Sequence, residues 1–187
     1  FFAQTVVQIL FFIVPISVLA LLLSAQIVRL IIGAGENTQF TFADTRATAQ
    51  ALGFFALSLF AQSLVPLLAR SFYAMQNTRI PVVSGLLAAA VNIVLAVVLT
   101  PRLGTAGLAL AFSGGIVVHM TLMLTLLHRR LKDLEDDFII LRTIKIAIAS
   151  VVMAIATFLT LYAVAPLVNM QTYLGVAVQT ISAVAVA

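Results

Sequence analysis

The sequence predicts an all-α fold, a polytopic membrane helix bundle of about six transmembrane helices. Three observations lead there. Of 187 residues, 63% are hydrophobic and only 9% charged, with a mean hydropathy of +1.21. Soluble domains are roughly 45–50% apolar and about 25% charged. The apolar residues gather into runs near the length a bilayer core demands, about 20 residues per helix. The basic residues sit at the ends of those runs rather than inside them.

The first run covers residues 6–32. Pro15 lies within it and takes away the donor that the Phe11 carbonyl would use, which predicts a kink. Gly33 and Gly35 then end the run as C-cap glycines would. Residues 36–50 are polar and predict a loop, with Thr41 and Asp44 as candidate N-caps for the next helix. The second run covers 47–73 and contains Pro66, which frees the Gln62 carbonyl. Ser58, Gln62, Pro66 and Arg70 follow one another at intervals of four and so share a helix face. A polar stripe on a membrane helix faces protein or a wet cavity rather than lipid.

Residues 75–81 read as a short turn. The third run, 82–99, opens just after Pro81, a residue suited to a first helical turn. Ser84, Ala88, Asn92 and Ala96 share one of its faces, and small residues at this spacing let backbones approach closely. Residues 100–104 predict another turn. The fourth run, 106–128, repeats Gly107, Ala111 and Gly115 at the same spacing. Residues 129–137 are the most charged stretch. The fifth run is 144–164, with Ala147, Ser150, Ala154 and Thr157 on one face. A turn around Pro166 leads to a sixth run from Thr172, about 15 residues or about 22 Å at the helical rise. No basic region precedes the first run, and the last stops inside apolar sequence, so both ends read as cut and the chain as a piece of a longer protein. The division expected is 1–131 for four helices, 132–142 for a charged cytoplasmic linker, and 143–187 for two additional helices, the last truncated.

The basic residues also set the orientation, because loops rich in Lys and Arg stay cytoplasmic. With six crossings, one side carries seven of them: Arg70, Arg79, Arg129, Arg130, Lys132, Arg142 and Lys145. The other carries three: Arg29, Arg46 and Arg102. The first side is therefore cytoplasmic. A net charge of +4 in this arrangement reads as topology signals and lipid-headgroup contacts, not as a nucleic-acid surface. There is no cysteine, which removes thiolate metal sites and thiol chemistry.

No catalytic set is visible. The carboxylates lie outside the hydrophobic runs, and the 133–137 acidic cluster reads as a solvated linker. His128 is interfacial, and mid-run His119 is expected to hydrogen-bond to a neighbouring helix. No cofactor is expected. The substrate or cavity candidates are Arg70, Gln62, Ser58 and Asn92. Arg70 reads as either a snorkelling anchor or a cation at a cavity mouth, where its planar fork suits phosphate; Arg29 carries the same ambiguity on the other side. Asn92, an amide at mid-membrane, needs partners. They are either a neighbouring helix or a cation or substrate, which makes it a weak cation candidate and leaves no other metal site.

Residues 69–81, Ala-Arg-Ser-Phe-Tyr-Ala-Met-Gln-Asn-Thr-Arg-Ile-Pro, resemble a signature of the MurJ (MviN) lipid II flippases, Arg-x-Phe-Tyr-Ala-x-x-(Asp/Asn)-Thr-x-x-Pro. The matching positions include Arg70, Phe72, Tyr73, Thr78 and Pro81, with Arg79 beside them. Residues 27–33 and 40–45 are similar to the same family's ninth-helix exit and following loop. Residues 101–109 resemble its Pro-x-x-Gly-x-x-Gly-Leu-Ala turn. The resemblance implies helices nine to fourteen of a fourteen-helix fold in the multidrug/oligosaccharidyl-lipid/polysaccharide exporter superfamily. It implies a multi-pass protein of the bacterial cytoplasmic membrane, monomeric at full length. Such a protein moves lipid II, the undecaprenyl-linked peptidoglycan precursor, by alternating access, with no enzymatic reaction. The fifth and sixth runs would be two extra helices forming a groove for the lipid tail. Its partners would be lipid II and membrane lipids. Some members bind sodium through an asparagine and an acid one turn on; Asn92 matches the first, but Ala96 stands at the second. Other readings are a flippase or exporter for another polyprenyl-linked glycan, a membrane enzyme, and a non-transporting scaffold.

Overall fold

The structure is a computed structural model that describes residues 2–32, 42–130, 136–164 and 173–186. Its elements are all helices: α1 (Phe2–Leu22), α2 (Ser24–Ile32), α3 (Phe42–Leu57), α4 (Leu59–Ala74), α5 (Arg79–Leu103), α6 (Thr105–Arg130), α7 (Asp136–Val164) and α8 (Tyr173–Val186). Among the described residues, five stretches are long and apolar enough to cross a membrane. One of the five joins α3 to α4 (Asp44–Ala74), and the apolar part of α8, Gly175–Ala185, is shorter. In lipid, a helix satisfies its backbone within its own segment, which is why apolar composition on this scale yields helices and nothing else here.

Several boundaries differ from those the sequence predicts. Residues 42–50 are helical rather than a loop, and Asp44 lies in the first turn of α3. A carboxylate is favourable at that positive end of a helix, and Ala43, Ala47 and Ala51 are strong helix formers. The second half of the expected 132–142 linker belongs to α7, which starts at Asp136. The expected turn at 100–104 shrinks to Gly104 alone, because α5 continues through Pro101 to Leu103. The caps expected at Gly33, Gly35 and Thr41, and the turn at Pro166, lie outside the described residues.

Within the described residues the prolines do not interrupt the helices. α1 runs through Pro15 and α4 through Pro66. The interruptions fall at Leu23 and Ser58 instead. At Leu23 the hydrogen bonding is continuous, its N–H donating to Leu19 O (2.8 Å) and its carbonyl accepting from Ile27 N–H (2.8 Å). At Ser58 it tightens: the Ser58 N–H bonds Phe55 O at 3.0 Å, three residues back. The Phe54 carbonyl, four residues back, is thereby left for another donor.

α6 is the central element, packing on α3, α4 and α5. α1 packs on α3, α4 and α7, while α8 bridges α7 and α2. The two C-terminal helices are therefore built onto the start of the chain. Leu68 and Phe72 of α4 meet Met123 and Leu127 of α6 in one buried cluster, and Val6, Leu10 and Ile146 join α1 to α7 in another. Outer faces remain apolar and exposed: Val82, Leu86, Ile93 and Val97 on α5, and Ile148, Val152, Ile155 and Phe158 on α7. Single exposed apolar residues are ordinary, but contiguous faces of this kind suit lipid tails or another apolar surface.

The alternating helices sort the cations to two ends. Arg70, Arg79, Arg129 and Arg130 lie where α4 and α6 end and α5 begins, and Arg29, Arg46 and Arg102 lie at the opposite ends of their helices.

Candidate functional site

The segment carrying the signature motif is a tight reversal between α4 and α5, and its hydrogen bonds explain the residue types. The Asn77 N–H reaches Phe72 O at 3.0 Å and the Gln76 N–H reaches Tyr73 O at 2.9 Å. These are the two bonds of a Schellman ending, which places one residue in the left-handed region. That residue is Gln76, at φ 55°. The Asn77 side-chain oxygen then accepts from the Ile80 N–H at 3.3 Å, satisfying one of the free donors at the start of α5. Pro81 is buried in the first turn, where a missing N–H does no harm.

The motif thus divides into two sets. Phe72, fully buried, together with Asn77 and Pro81 builds and anchors the reversal. Arg70, Tyr73, Thr78 and Arg79 are exposed at the end of the bundle that charge counting makes cytoplasmic. Tyr73 is 52% exposed, unusual for an aromatic residue flanked by a core position.

The polar stripe along α4 does not act as a unit. Ser58, 1% exposed, and Gln62 form its inner half, with Gln62 Nε2 donating to Ser58 Oγ at 3.0 Å. Ser113 of α6 completes this cluster: its Oγ lies 2.8 Å from Phe54 O and 3.1 Å from Ser58 Oγ. The carbonyl released by the tightened turn at Ser58 is the one Ser113 serves. Ser58 and Gln62 therefore secure the α3–α4 joint to α6. Pro66 and Arg70, the outer half, are exposed.

Asn92 lies apart from that cluster, on α5 against α6. A methyl group added at Gly115 would meet Asn92 Cβ at 2.8 Å and the Ala88 carbonyl at 3.1 Å, so the two backbones touch there. Asn92 also lines a cavity of about 160 Å³ beside Gly85, Gly115 and His119. His119 Nε2 is buried with no hydrogen-bond partner among the described residues, and its ring lies against Gly85 of α5. No carboxylate lines this cavity, and among the described residues no cluster of three His, Cys, Asp or Glu is placed to hold a metal.

A cavity of about 810 Å³ lies at the opposite end of the bundle, and the sequence pointed to it only through Arg29. It is an open cleft bordered by α2, α3, the start of α6 and α8, and lined by Gln26, Arg29, Thr45, Arg46, Gln50 and Gln179 among apolar residues. Its signal was scattered: Gln26 and Arg29 lie in the first run, Thr45 and Arg46 in the stretch read as a loop, Gln50 in the second run and Gln179 in the sixth, none forming a stripe of its own.

Known proteins agree with this geometry. A family model described as the lipid II flippase MurJ matches residues 2–183. A probable lipid II flippase MurJ of Thermotoga maritima is 36% identical over 144 residues, covering 77% of this chain and 28% of its own length. A lipid II flippase MurJ of Thermosipho africanus is 29% identical over 152 residues, covering 81% and 30%. A probable homologous flippase of Rhizobium meliloti is 31% identical, covering 80% and 27%. Among solved structures, a lipid II flippase MurJ in an inward closed conformation superposes with a TM-score of 0.78 at 24% identity, covering 99% of this chain and 36% of that one. The chain thus spans between a quarter and a third of the length of the curated relatives it matches.

Proposed function

The chain belongs to the MurJ lipid II flippase family, and from that premise we propose that the complete protein flips the undecaprenyl-linked peptidoglycan precursor across the bacterial cytoplasmic membrane. The observation that carries this reading is the family match along residues 2–183, nearly the whole chain. The protein moves its cargo by alternating access and leaves its bonds intact, so it is a transporter rather than an enzyme, and it acts as a monomer. This chain supplies one wall of the transport path and the two helices packed outside it.

The geometry supports a division of labour within that wall. α5 and α6 are joined by one residue and touch backbone to backbone, so they move together. The reversal at residues 75–78 is held by backbone bonds rather than by a long loop. It presents Arg70, Tyr73, Thr78 and Arg79 at the cytoplasmic entrance, where the precursor's diphosphate arrives. A guanidinium can grip two phosphate oxygens at once, and an exposed tyrosine beside it offers a hydroxyl and an apolar ring.

The test uses the complete gene in a bacterium depleted of its own flippase. Growth and outer-leaflet exposure of lipid II are expected to return. Arg70→Ala is expected to reduce exposure about tenfold, the loss of one charge-assisted contact to phosphate, while the protein still inserts. Rescue that is indifferent to Arg70→Ala would reduce that arginine to a membrane anchor. No rescue by an inserted protein would shift the cargo to another polyprenyl-linked glycan.

A further inference from the structure

A groove beside the α5–α6 seam carries a pattern that neither the seam nor the entrance motif requires. Its volume is about 210 Å³, and its walls are Val83 and Leu87 of α5 and Leu122 and Leu126 of α6. The contacts that admit no added atom, at Gly107, Gly114 and Gly115, lie in the half of the seam nearer Gly104. In the other half the walls are large side chains, and the groove lies between them. Val83 is 54% and Leu87 52% exposed, so it opens on the outside of the described bundle. Ser84 also lines it, but its hydroxyl donates back to the carbonyls of Ile80 (2.8 Å) and Pro81 (3.1 Å) on its own helix. With that hydroxyl turned away, the walls present hydrocarbon.

The groove ends in cations. Arg79, the first residue of α5, lines it and is exposed. Arg130, the last residue of α6, is exposed too, and it continues the row of Leu122 and Leu126 at the same interval of four. The rows from Leu87 to Arg79 and from Leu122 to Arg130 are equally long, about 12 Å at the helical rise. Half of a hydrocarbon core about 30 Å thick is about 15 Å. The groove thus has the depth of one leaflet, with its cations at the surface of that leaflet. No carboxylate is among the lining residues.

We propose that this groove is a binding site for an anionic phospholipid of the cytoplasmic leaflet, with one acyl chain lying between α5 and α6 and the phosphate held by Arg79 and Arg130. A guanidinium suits the phosphate of any phospholipid, so net charge makes the choice. A zwitterionic headgroup brings an ammonium that two arginines repel, whereas phosphatidylglycerol brings none. A polyprenyl tail is far longer than the groove, which separates this occupant from the transported precursor. The bound lipid braces the α5–α6 hairpin at the end away from Gly104. The site stands on the groove and its cations, and does not depend on what the complete protein carries.

The test reads the groove directly. This chain has no tryptophan. In the complete protein, with any other tryptophan replaced by phenylalanine, Leu87→Trp places a fluorophore at the deep end of the groove. Ile155→Trp is the comparison, at an exposed position of α7 outside it. Each variant is reconstituted in phosphatidylcholine vesicles, with a rising fraction of phosphatidylglycerol whose acyl chains carry bromine, which quenches tryptophan on contact. Half-maximal quenching of Leu87→Trp is expected at about a tenfold lower fraction than that of Ile155→Trp, the scale of a hydrogen bond to a charged group. Brominated phosphatidylcholine should quench both alike. Adding Arg79→Gln and Arg130→Gln together should abolish the preference for phosphatidylglycerol and leave quenching by brominated phosphatidylcholine unchanged. Equal preference at the two positions, or a preference that survives the double substitution, overturns the proposal. So does a Leu87→Trp signal that no brominated lipid reaches, which would mean that another part of the protein fills the groove. Displacement by a polyprenyl phosphate at a lower fraction than by plain phosphatidylglycerol would give the groove to the cargo's carrier and overturn it as well. The readout is local, so each of these failures leaves the growth-rescue result standing.

Discussion

The central helix α6 meets two of its neighbours, α5 and α4, by opposite means. Against α5 it offers the absence of side chains. A methyl group at Gly107 would lie 2.5 Å from the Leu99 carbonyl oxygen, and one at Gly114 would lie 2.8 Å from a Leu95 methyl. Against α4 it offers their presence, with Met123 and Leu127 filling the space around Leu68 and Phe72, and Ser113 reaching across to the α3–α4 joint. Lipid tails are as apolar as a helix surface, so burial as such drives neither contact. What remains is dispersion at short range, maximised by glycine on one side and by large interlocking side chains on the other. At Gly107, Gly114 and Gly115 the α5 seam has no room for an added atom, whereas the α4 seam tolerates no missing one.

That contrast can be broken in order of size. Gly107→Val forces apart two backbones that cannot yield separately. It should cost about 3 kcal/mol, the upper part of the overpacking range, and lower the melting midpoint of the complete protein in detergent more than any other change here. Phe72→Ala empties a site that is fully buried. Because the transfer term is small in lipid, the loss is about 2 kcal/mol, mostly cavity. Its unfolding midpoint should partly recover with a larger apolar residue facing the hole. Ser113→Ala leaves the Phe54 carbonyl without its donor and should cost about 1 kcal/mol, with faster amide exchange around residues 54–58 as the local sign. Gly53, in mid-α3, has nothing within 4 Å of an added methyl. Gly53→Ala should therefore stabilise the helix by about 0.5 kcal/mol. Were Gly107→Val and Gly53→Ala to shift the midpoint alike, close approach would not be what holds the α5 seam.

Much of this architecture was legible in the residues. Hydropathy located every described span, and Arg70, Arg79, Arg129 and Arg130 lie at one end with Arg29, Arg46 and Arg102 at the other. The glycine spacing marked the α5–α6 seam. The breaks were not legible, and for a physical reason. Pro15, Pro66 and Pro101 each remove one donor, but a helix packed on its neighbours carries on around such a gap. Ser58 keeps its donor yet turns it to the wrong carbonyl, a choice stabilised by Ser113, 55 residues away. No local pattern contains that partner. The entrance motif was readable as a motif, while its division into a buried scaffold and an exposed set needed the reversal's hydrogen bonds. The outer cavity was nearly invisible, since Gln26 and Gln179 lie in different runs, Arg46 lies in a stretch read as a loop, and only packing brings them together.

Gly104, at φ 59° and ψ −135°, is the whole connection between α5 and α6. Few residues other than glycine adopt that backbone conformation. It also bears on how the protein is made. A newly synthesised α5 has no loop of its own in which to wait at the far side of the membrane, because its last residue is followed at once by the turn that starts α6. The two helices, 25 and 26 residues long, must enter the bilayer as one hairpin. Between Arg79 and Arg129 the only formal charge that must be carried across is Arg102. The residue that lets the two helices touch at their tip thus also couples the insertion of one to that of the other.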